Sequence, residues 1–525
     1  MRKPLMKALP CQGESEKGDP VRRKKGHRGA MEILCLAMAL GMIGCWAGEL
    51  DQLFPRVSLP FFVFLIAVPG LALLAFWAGN RFLGRRTFLR LRGEPSGFPE
   101  RRRLWLLLPL AVVPRVVWWI AFPQVMDSDY SLYLRMAEHY ARTGAVLTGD
   151  YVLKIAPNAA LYSVLLGSLM RLFGTGAPVA QGACMVLHVG NIFLLYALGK
   201  RLISSRRAFL AAAVFALLPE NVFYSTLPGN EALALGLNLL GLWMLLPLLG
   251  GEKPGAESEA PEKGRRPVGY AALRALAGGG VLAFSACIRP NAWVILGGAA
   301  IWLLRSCCGR RLLPHAAALV AFTLGIAGVL LWHQGFLIRT FLEEKPAGGI
   351  GWALYEGLDL ESGGKWTEQK SKRCIEVIER YDGEEADRIF YTEAMERFRS
   401  YSLGEKIRMF LRKGGSLWYE SRYAVLGLTG SAHYWLLVNM AGASWFVCLM
   451  AWVYGLLCRA KAPASGSGRR CAALCAMIIL PTALWHEVGS SVGRYHYMLI
   501  PFVLLMTVAL FPGRTEQGRK GNRNV

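Results

Sequence analysis

The sequence predicts an all-α polytopic membrane protein, on three observations. Hydrophobic residues make up 54% of the 525, and the mean hydropathy is +0.33. Apolar runs of spanning length recur along the chain, a membrane helix needing roughly 17–25 residues. The Lys and Arg residues behind a net charge of +24 fall in short loops between those runs and at both ends. So large a positive charge suits a nucleic-acid binder when it gathers on one soluble face. Here it is a topology signal, and no nucleic-acid partner is expected.

The runs predict about twelve spans, at 31–49, 59–79, 104–122, 179–199, 208–226, 231–249, 269–288, 293–307, 312–332, 434–457, 471–486 and 495–511. Basic loops should mark the cytoplasmic side. The segments 81–103, 200–207, 251–266, 305–311 and 459–470 and both ends are basic or mixed-basic, and all then fall on one side, so both termini are expected in the cytoplasm. The apolar segment 158–174 would break this alternation as a span, so it is expected to lie in or re-enter the outer interface. The predicted organisation is a basic arm (1–30), two extra spans with a basic loop (31–103), a transmembrane module (104–336) that includes an outer loop at 123–178, an extracytoplasmic loop (337–433), further spans (434–512) and a basic tail (513–525). Arg22-Arg23-Lys24-Lys25 precede the first run, which reads as an anchor without a cleavage site, with Met31 a second candidate start.

Within 337–433, periodic helical stretches at 372–381 and 384–401 lead into a basic amphipathic run at 404–418, suited to the membrane surface. Most of the twelve cysteines, among them Cys35, Cys45, Cys184, Cys287, Cys448 and Cys475, sit in apolar runs as small hydrophobes. Adjacent Cys307 and Cys308 lack the spaced partners of a zinc site, so neither zinc nor a disulfide framework is expected.

The acidic stretch 126–133 (MDSDYSLY) stands just beyond the 104–122 span. It opens a helix-like run ending at Thr143-Gly144, which places Asp127 and Asp129 where a helix leaves lipid. Lys154, Gly229-Asn230-Glu231, Arg289-Pro290-Asn291 and 490–496 are expected on the same face. Ionisable groups converging there from distant parts of the chain point to a site. Each has a plainer reading: Asp-Ser-Asp is good helix-capping chemistry, Glu231 can cap its own helix, and Arg289, Arg494 and Lys154 can snorkel to headgroups. His486-Glu487 lacks the second His of a zinc-binding helix, and Arg115, inside an apolar run, needs a partner or a cleft. Trp118-Trp119 and Tyr495 to Tyr497 suit an interface belt, although aromatic faces also suit sugars.

From residue 104 onward the order of features resembles the GT-C superfamily of membrane glycosyltransferases, family 39 in particular, the group of protein O-mannosyltransferases and aminoarabinose transferases. The residues that carry the likeness are Asp129, Tyr133, Ala137 and Gly144, then Leu172-Phe173-Gly174, Pro219 with Asn230 and Glu231, Arg289-Pro290, and Arg494-Tyr495. The segment 394–418 is similar to the outer loop of bacterial members, and the first two spans have no counterpart. The resemblance implies a GT-C-like helix bundle with interfacial helices, in a plasma membrane with the site facing outside. It implies inverting transfer of a sugar from a polyprenyl-phosphate donor to a hydroxyl on an acceptor protein, lipid or glycan. Asp129 matches the base, with Asp127 sharing that role or holding a divalent cation such as magnesium or manganese. Arg289, Arg494, His496 and Lys154 are the candidates for the leaving phosphate, and Glu231, Tyr133 and Tyr495 for substrate contacts. The rival readings are a transporter or flippase of a lipid-linked or anionic solute, which asks for broken helices and midplane charges, and a non-catalytic scaffold. The sequence displays neither an inverted repeat nor a midplane acid.

Overall fold

The computed structural model describes residues 33, 37, 99–148, 153, 155–248, 268–307, 312–340, 350–419, 421–459 and 466–510. Every regular element among them is helical. The expected span 59–79, all of 31–49 except residues 33 and 37, and Lys154 lie outside the described residues.

Helix α1 (Glu100–Ala121) is long and apolar, and a short loop leads from it into α2 (Ser128–Thr143). Asp127 begins α2 by accepting the Ser128 N–H at 2.6 Å. Gly144 ends it at φ +79°, a left-handed conformation natural to glycine, with its N–H on the Tyr140 carbonyl at 2.8 Å. α3 (Asn158–Phe173) packs along α2. Its 16 residues rise about 24 Å, less than the roughly 30 Å of a hydrocarbon core.

α4 (Ala177–Leu202) and α5 (Ser205–Leu217) pack side by side, and α6 (Pro219–Phe223) leads through a 3₁₀ turn (Tyr224–Thr226) to α7 (Glu231–Leu245). α8 (Val268–Ile288) packs against α7 and, more extensively, against α10 (Leu312–Thr340), with α9 (Ala292–Cys307) between α8 and α10 in sequence. A helical cap follows: α11 (Gly351–Gly357), α12 (Glu368–Ile378), α13 (Gly383–Ser400) and α14 (Leu403–Tyr419). It has its own core of Leu354, Tyr355, Cys374, Val377, Phe390 and Met409. A 3₁₀ segment (Ser421–Leu428) leads to α15 (Tyr434–Arg459) and α16 (Gly466–Val488), and a 3₁₀ turn (Gly493–Met498) to α17 (Ile500–Leu510).

By length and composition, six described helices can cross a membrane: α1, α4, α8, α10, α15 and α16. The expected span 208–226 is instead broken between α5 and α6 with a bend of 61°. Pro219 has no N–H to continue the ladder, and its ring clashes with the preceding turn. A continuous span over 208–226 is corrected by this bend. The break carries Glu220, which is fully buried. The expected spans 231–249, 293–307 and 495–511 fold as the shorter apolar helices α7, α9 and α17. In the last of these, the residues from 495 to 498 form the 3₁₀ turn, leaving 11 for α17.

Candidate active site

Four charged side chains meet where the helices end. Asp129 sits in the first turn of α2, Glu231 opens α7, Arg289 follows α8, and Arg494 lies on the 3₁₀ turn before α17. Arg494 Nη2 is 2.5 Å from Asp129 Oδ2, and Arg289 Nη1 is 2.9 Å from Glu231 Oε1. Arg494 Nε lies 4.0 Å from that same Glu231 oxygen, so the two pairs form one group. The group is almost dry: the Glu231 and Arg289 side chains are 6% and 7% exposed, Arg494 is 17%, and only Asp129, at 38%, meets solvent.

Two carboxylates face two guanidinium groups, so the cluster is neutral as it stands. Arg494 beside Asp129 holds that carboxyl below its usual range, ahead of the opposing effect of burial. For Arg494 itself burial is the largest effect and opposes the charge, but Asp129, Tyr495 and Glu231 together outweigh it and the guanidinium is held firmly protonated.

Neighbouring side chains complete the wall. Asn230 accepts from Arg289 Nη1 at 2.5 Å, and its amide donates to the Ile288 carbonyl at 3.1 Å and to the Tyr133 hydroxyl at 3.4 Å. Tyr133 is buried edge-on against Tyr162, and burial pushes its phenol up. The Tyr495 ring lies 5.4 Å from the Arg289 guanidinium and 5.6 Å from that of Arg494, and His486 stacks on it at 4.3 Å. Arg289 Nε and Nη2 and Arg494 Nε are buried without a hydrogen-bond partner among the described residues. Buried donors of this kind are normally satisfied.

The structure thus brings together Asp129, Glu231, Tyr133, Arg289, Arg494 and Tyr495 among the residues singled out from the sequence. Asp127 points elsewhere: it is exposed and caps α2, the plainer of its two readings. His496 does not join the cluster. A 3₁₀ turn advances about 120° per residue, so the side chain two positions after Arg494 faces into the bundle. There His496 is fully buried and meets Glu220.

Asp127 accepts the Ser128 N–H and Asp129 pairs with Arg494 in this structure. No three His, Cys, Asp or Glu side chains stand together among the described residues.

Two residues of the region had gone unnoticed. Glu356, near the end of α11 in the cap, is hydrogen-bonded to Ser490 and lies in the field of Asp129 and Arg494; burial pushes its carboxyl up, against the pull of Lys370. The acids scattered through 337–433 give it no distinguishing mark. Glu220 did carry a signal, an acid within an apolar run.

No family model matches the chain, and no curated protein matches it. Among solved structures it is similar to the archaeal oligosaccharyltransferase AglB from Archaeoglobus fulgidus, determined in complex with an inhibitory peptide and a dolichol-phosphate. The identity is 12% and the TM-score 0.30, over 75% of this chain and 57% of that one. A likeness that slight carries no argument about fold or site, and the chain spans little more than half the length of that protein.

Proposed function

We propose that this protein is a GT-C-like, family 39-like membrane glycosyltransferase. It moves a sugar from a polyprenyl-phosphate donor to an acceptor hydroxyl at the outer face of a plasma membrane, with inversion. The observation that carries this reading is the neutral, nearly dry cluster of Asp129, Glu231, Arg289 and Arg494, with guanidinium donors left unpaired beside apolar helix ends. A phosphate on a lipid tail supplies what those donors lack, and a guanidinium recognises phosphate oxygens in a fixed fork.

The charges set the order of events. An incoming phosphate makes the cluster negative, and it competes with Asp129 for Arg494. Freed from that pair, Asp129 loses the influence that keeps its proton affinity low and becomes an effective base. The acceptor oxygen attacks the anomeric carbon as its proton passes to Asp129. The bond from that carbon to the phosphate oxygen breaks, and the lipid phosphate leaves with the electron pair. Arg289 and Arg494 stabilise the charge that develops there. Tyr495, held between them, offers its ring to the sugar or the isoprenoid.

A transporter or flippase of an anionic lipid-linked solute is the second reading. One observation favours it, the 61° break with buried Glu220 beside it. The deciding experiment presents a panel of radiolabelled polyprenyl-phosphate sugars and a membrane extract to the purified protein in nanodiscs. Consumption of one donor by the wild type and not by Asp129→Asn is the expected result. No turnover, together with movement of a labelled donor across sealed vesicles, gives the transporter instead.

A further inference from the structure

The broken span is tied to the turn that carries Arg494. At the break, the carbonyls of Phe215 and Ala216 lose their helical partners. Asn221 donates to Phe215 at 2.6 Å, and the buried Arg115 of α1 donates to Ala216 at 3.1 Å and to Ala111 at 2.8 Å. Arg115 therefore has a structural task, capping a helix end inside the bundle, where an unsatisfied carbonyl is costly.

Two neighbouring residues of the elbow then meet two neighbouring residues of the turn. His496 Nε2 lies 2.8 and 3.0 Å from the Glu220 carboxylate oxygens, and both side chains are fully buried. One residue on, the Tyr497 hydroxyl donates to Asn221 Oδ1 at 3.1 Å and lies 3.0 Å from His188 Nδ1. Within the turn, Arg494 and Tyr495 line the cleft, whereas His496 and Tyr497 reach the elbow.

Hydrogen bonding limits the protonation of this contact. His496 Nδ1 is 2.7 Å from the Leu417 carbonyl, which only accepts, so Nδ1 carries a hydrogen. A single proton then bridges Nε2 and Glu220. Its removal sets a nitrogen lone pair against a carboxylate. The other groups around the pair are the Trp445 ring stacked on His496, the Ser421 hydroxyl at 3.4 Å from Glu220, and Tyr224, Cys448 and Tyr497. None of those described residues is a charged type at neutral pH.

We propose that the pairs Glu220–His496 and Asn221–Tyr497 form a strut that holds the Gly493–Met498 turn, and so positions Arg494 for phosphate. Glu220 and His496 are positioning residues, not catalytic ones. The inference rests on the reading of Arg494 as a phosphate-binding residue, and its test separates the two.

Binding of farnesyl phosphate and of farnesol is measured at neutral pH on the full-length protein in nanodiscs, for the wild type, Arg494→Gln, Glu220→Gln, His496→Gln and Tyr497→Phe, each checked for folding by thermal unfolding. Arg494→Gln is expected to bind more than about tenfold more weakly, and Glu220→Gln and His496→Gln about tenfold more weakly at neutral pH. Binding of farnesol, which lacks the phosphate, should stay within about twofold of wild type in each variant, whereas a merely structural defect would weaken both ligands. Tyr497→Phe removes one hydroxyl and keeps the test open if the other strut variants fail to fold; about a threefold loss is expected. Folded strut variants within twofold of wild type for farnesyl phosphate, or weakened equally for farnesol, beside a weakened Arg494→Gln, overturn the strut alone. An unaffected Arg494→Gln overturns the reading of the site, and the strut with it.

Discussion

Asp129→Asn should separate binding from turnover. The carboxylate is both the proposed base and the present partner of Arg494, so its neutralisation removes a catalyst and a competitor at once. At the 2.5 Å separation of Asp129 Oδ2 and Arg494 Nη2, Coulomb's law gives about 1.7 kcal/mol at the permittivity of water and about 6.6 at an effective value near 20. Asp129 is 38% exposed, so the screened end applies, and loss of hydration when the pair forms offsets part of it. A net gain of about 1.4 kcal/mol for an incoming phosphate corresponds to about tenfold tighter binding. The assay is calorimetric titration of farnesyl phosphate into nanodiscs holding each protein, beside a sugar-transfer assay with whichever donor the wild type consumes. Tighter binding with transfer lowered by at least about a hundredfold is the expected pair of results. Unchanged or weaker binding would refute the competition between Asp129 and phosphate, and retained transfer would refute the assignment of the base.

Three further perturbations probe the same frame. Glu231→Gln leaves the buried Arg289 without its counter-charge and should destabilise the fold by about 3 kcal/mol, the low end for a broken buried pair because Asn230 still accepts from Arg289. Added farnesyl phosphate should restore part of that loss in thermal unfolding, and an absence of rescue would count against an anion site there. Lys413 is fully buried and joins the cap to the end of α16 by donating to the Gly357 carbonyl at 2.7 Å and the Gly489 carbonyl at 2.8 Å. Burial pushes its ammonium down to about 7. Between that value and the ordinary lysine range the unfolded chain binds more protons than the folded one, so stability contributed by this group rises with pH across that window. Lys413→Met should flatten the rise in an unfolding series from pH 7 to 10. Gly357→Ala would put a methyl group 2.3 Å from the Gly489 carbonyl, a backbone contact with no flexible side chain to yield. It should loosen the cap by about 1–3 kcal/mol and speed limited proteolysis of the α11–α14 region; an unchanged cleavage rate would contradict this close docking.

Local pattern made much of the frame legible. α2 begins and ends where Asp127 and Gly144 indicate, because capping chemistry and a left-handed glycine act within a few residues. The long apolar helices follow from hydropathy alone. Span counting failed where a local signal was present but outweighed: Pro219 breaks its segment, and Glu220 beside it marks the place.

The sequence by itself determined the all-α membrane class, the main apolar helices and the set of charged residues at their ends, since burial in lipid demands apolar runs and penalises charge within them. Only the tertiary structure decided which of those charges meet. Arg494 pairs with Asp129, 365 positions earlier in the chain, and His496 turns to Glu220, 276 positions away. Such choices depend on how helices pack and on which side of one short turn a side chain emerges. Ion pairs and hydrogen bonds act over a few ångströms in space, and hydropathy or periodicity read along the chain contains no measure of that distance.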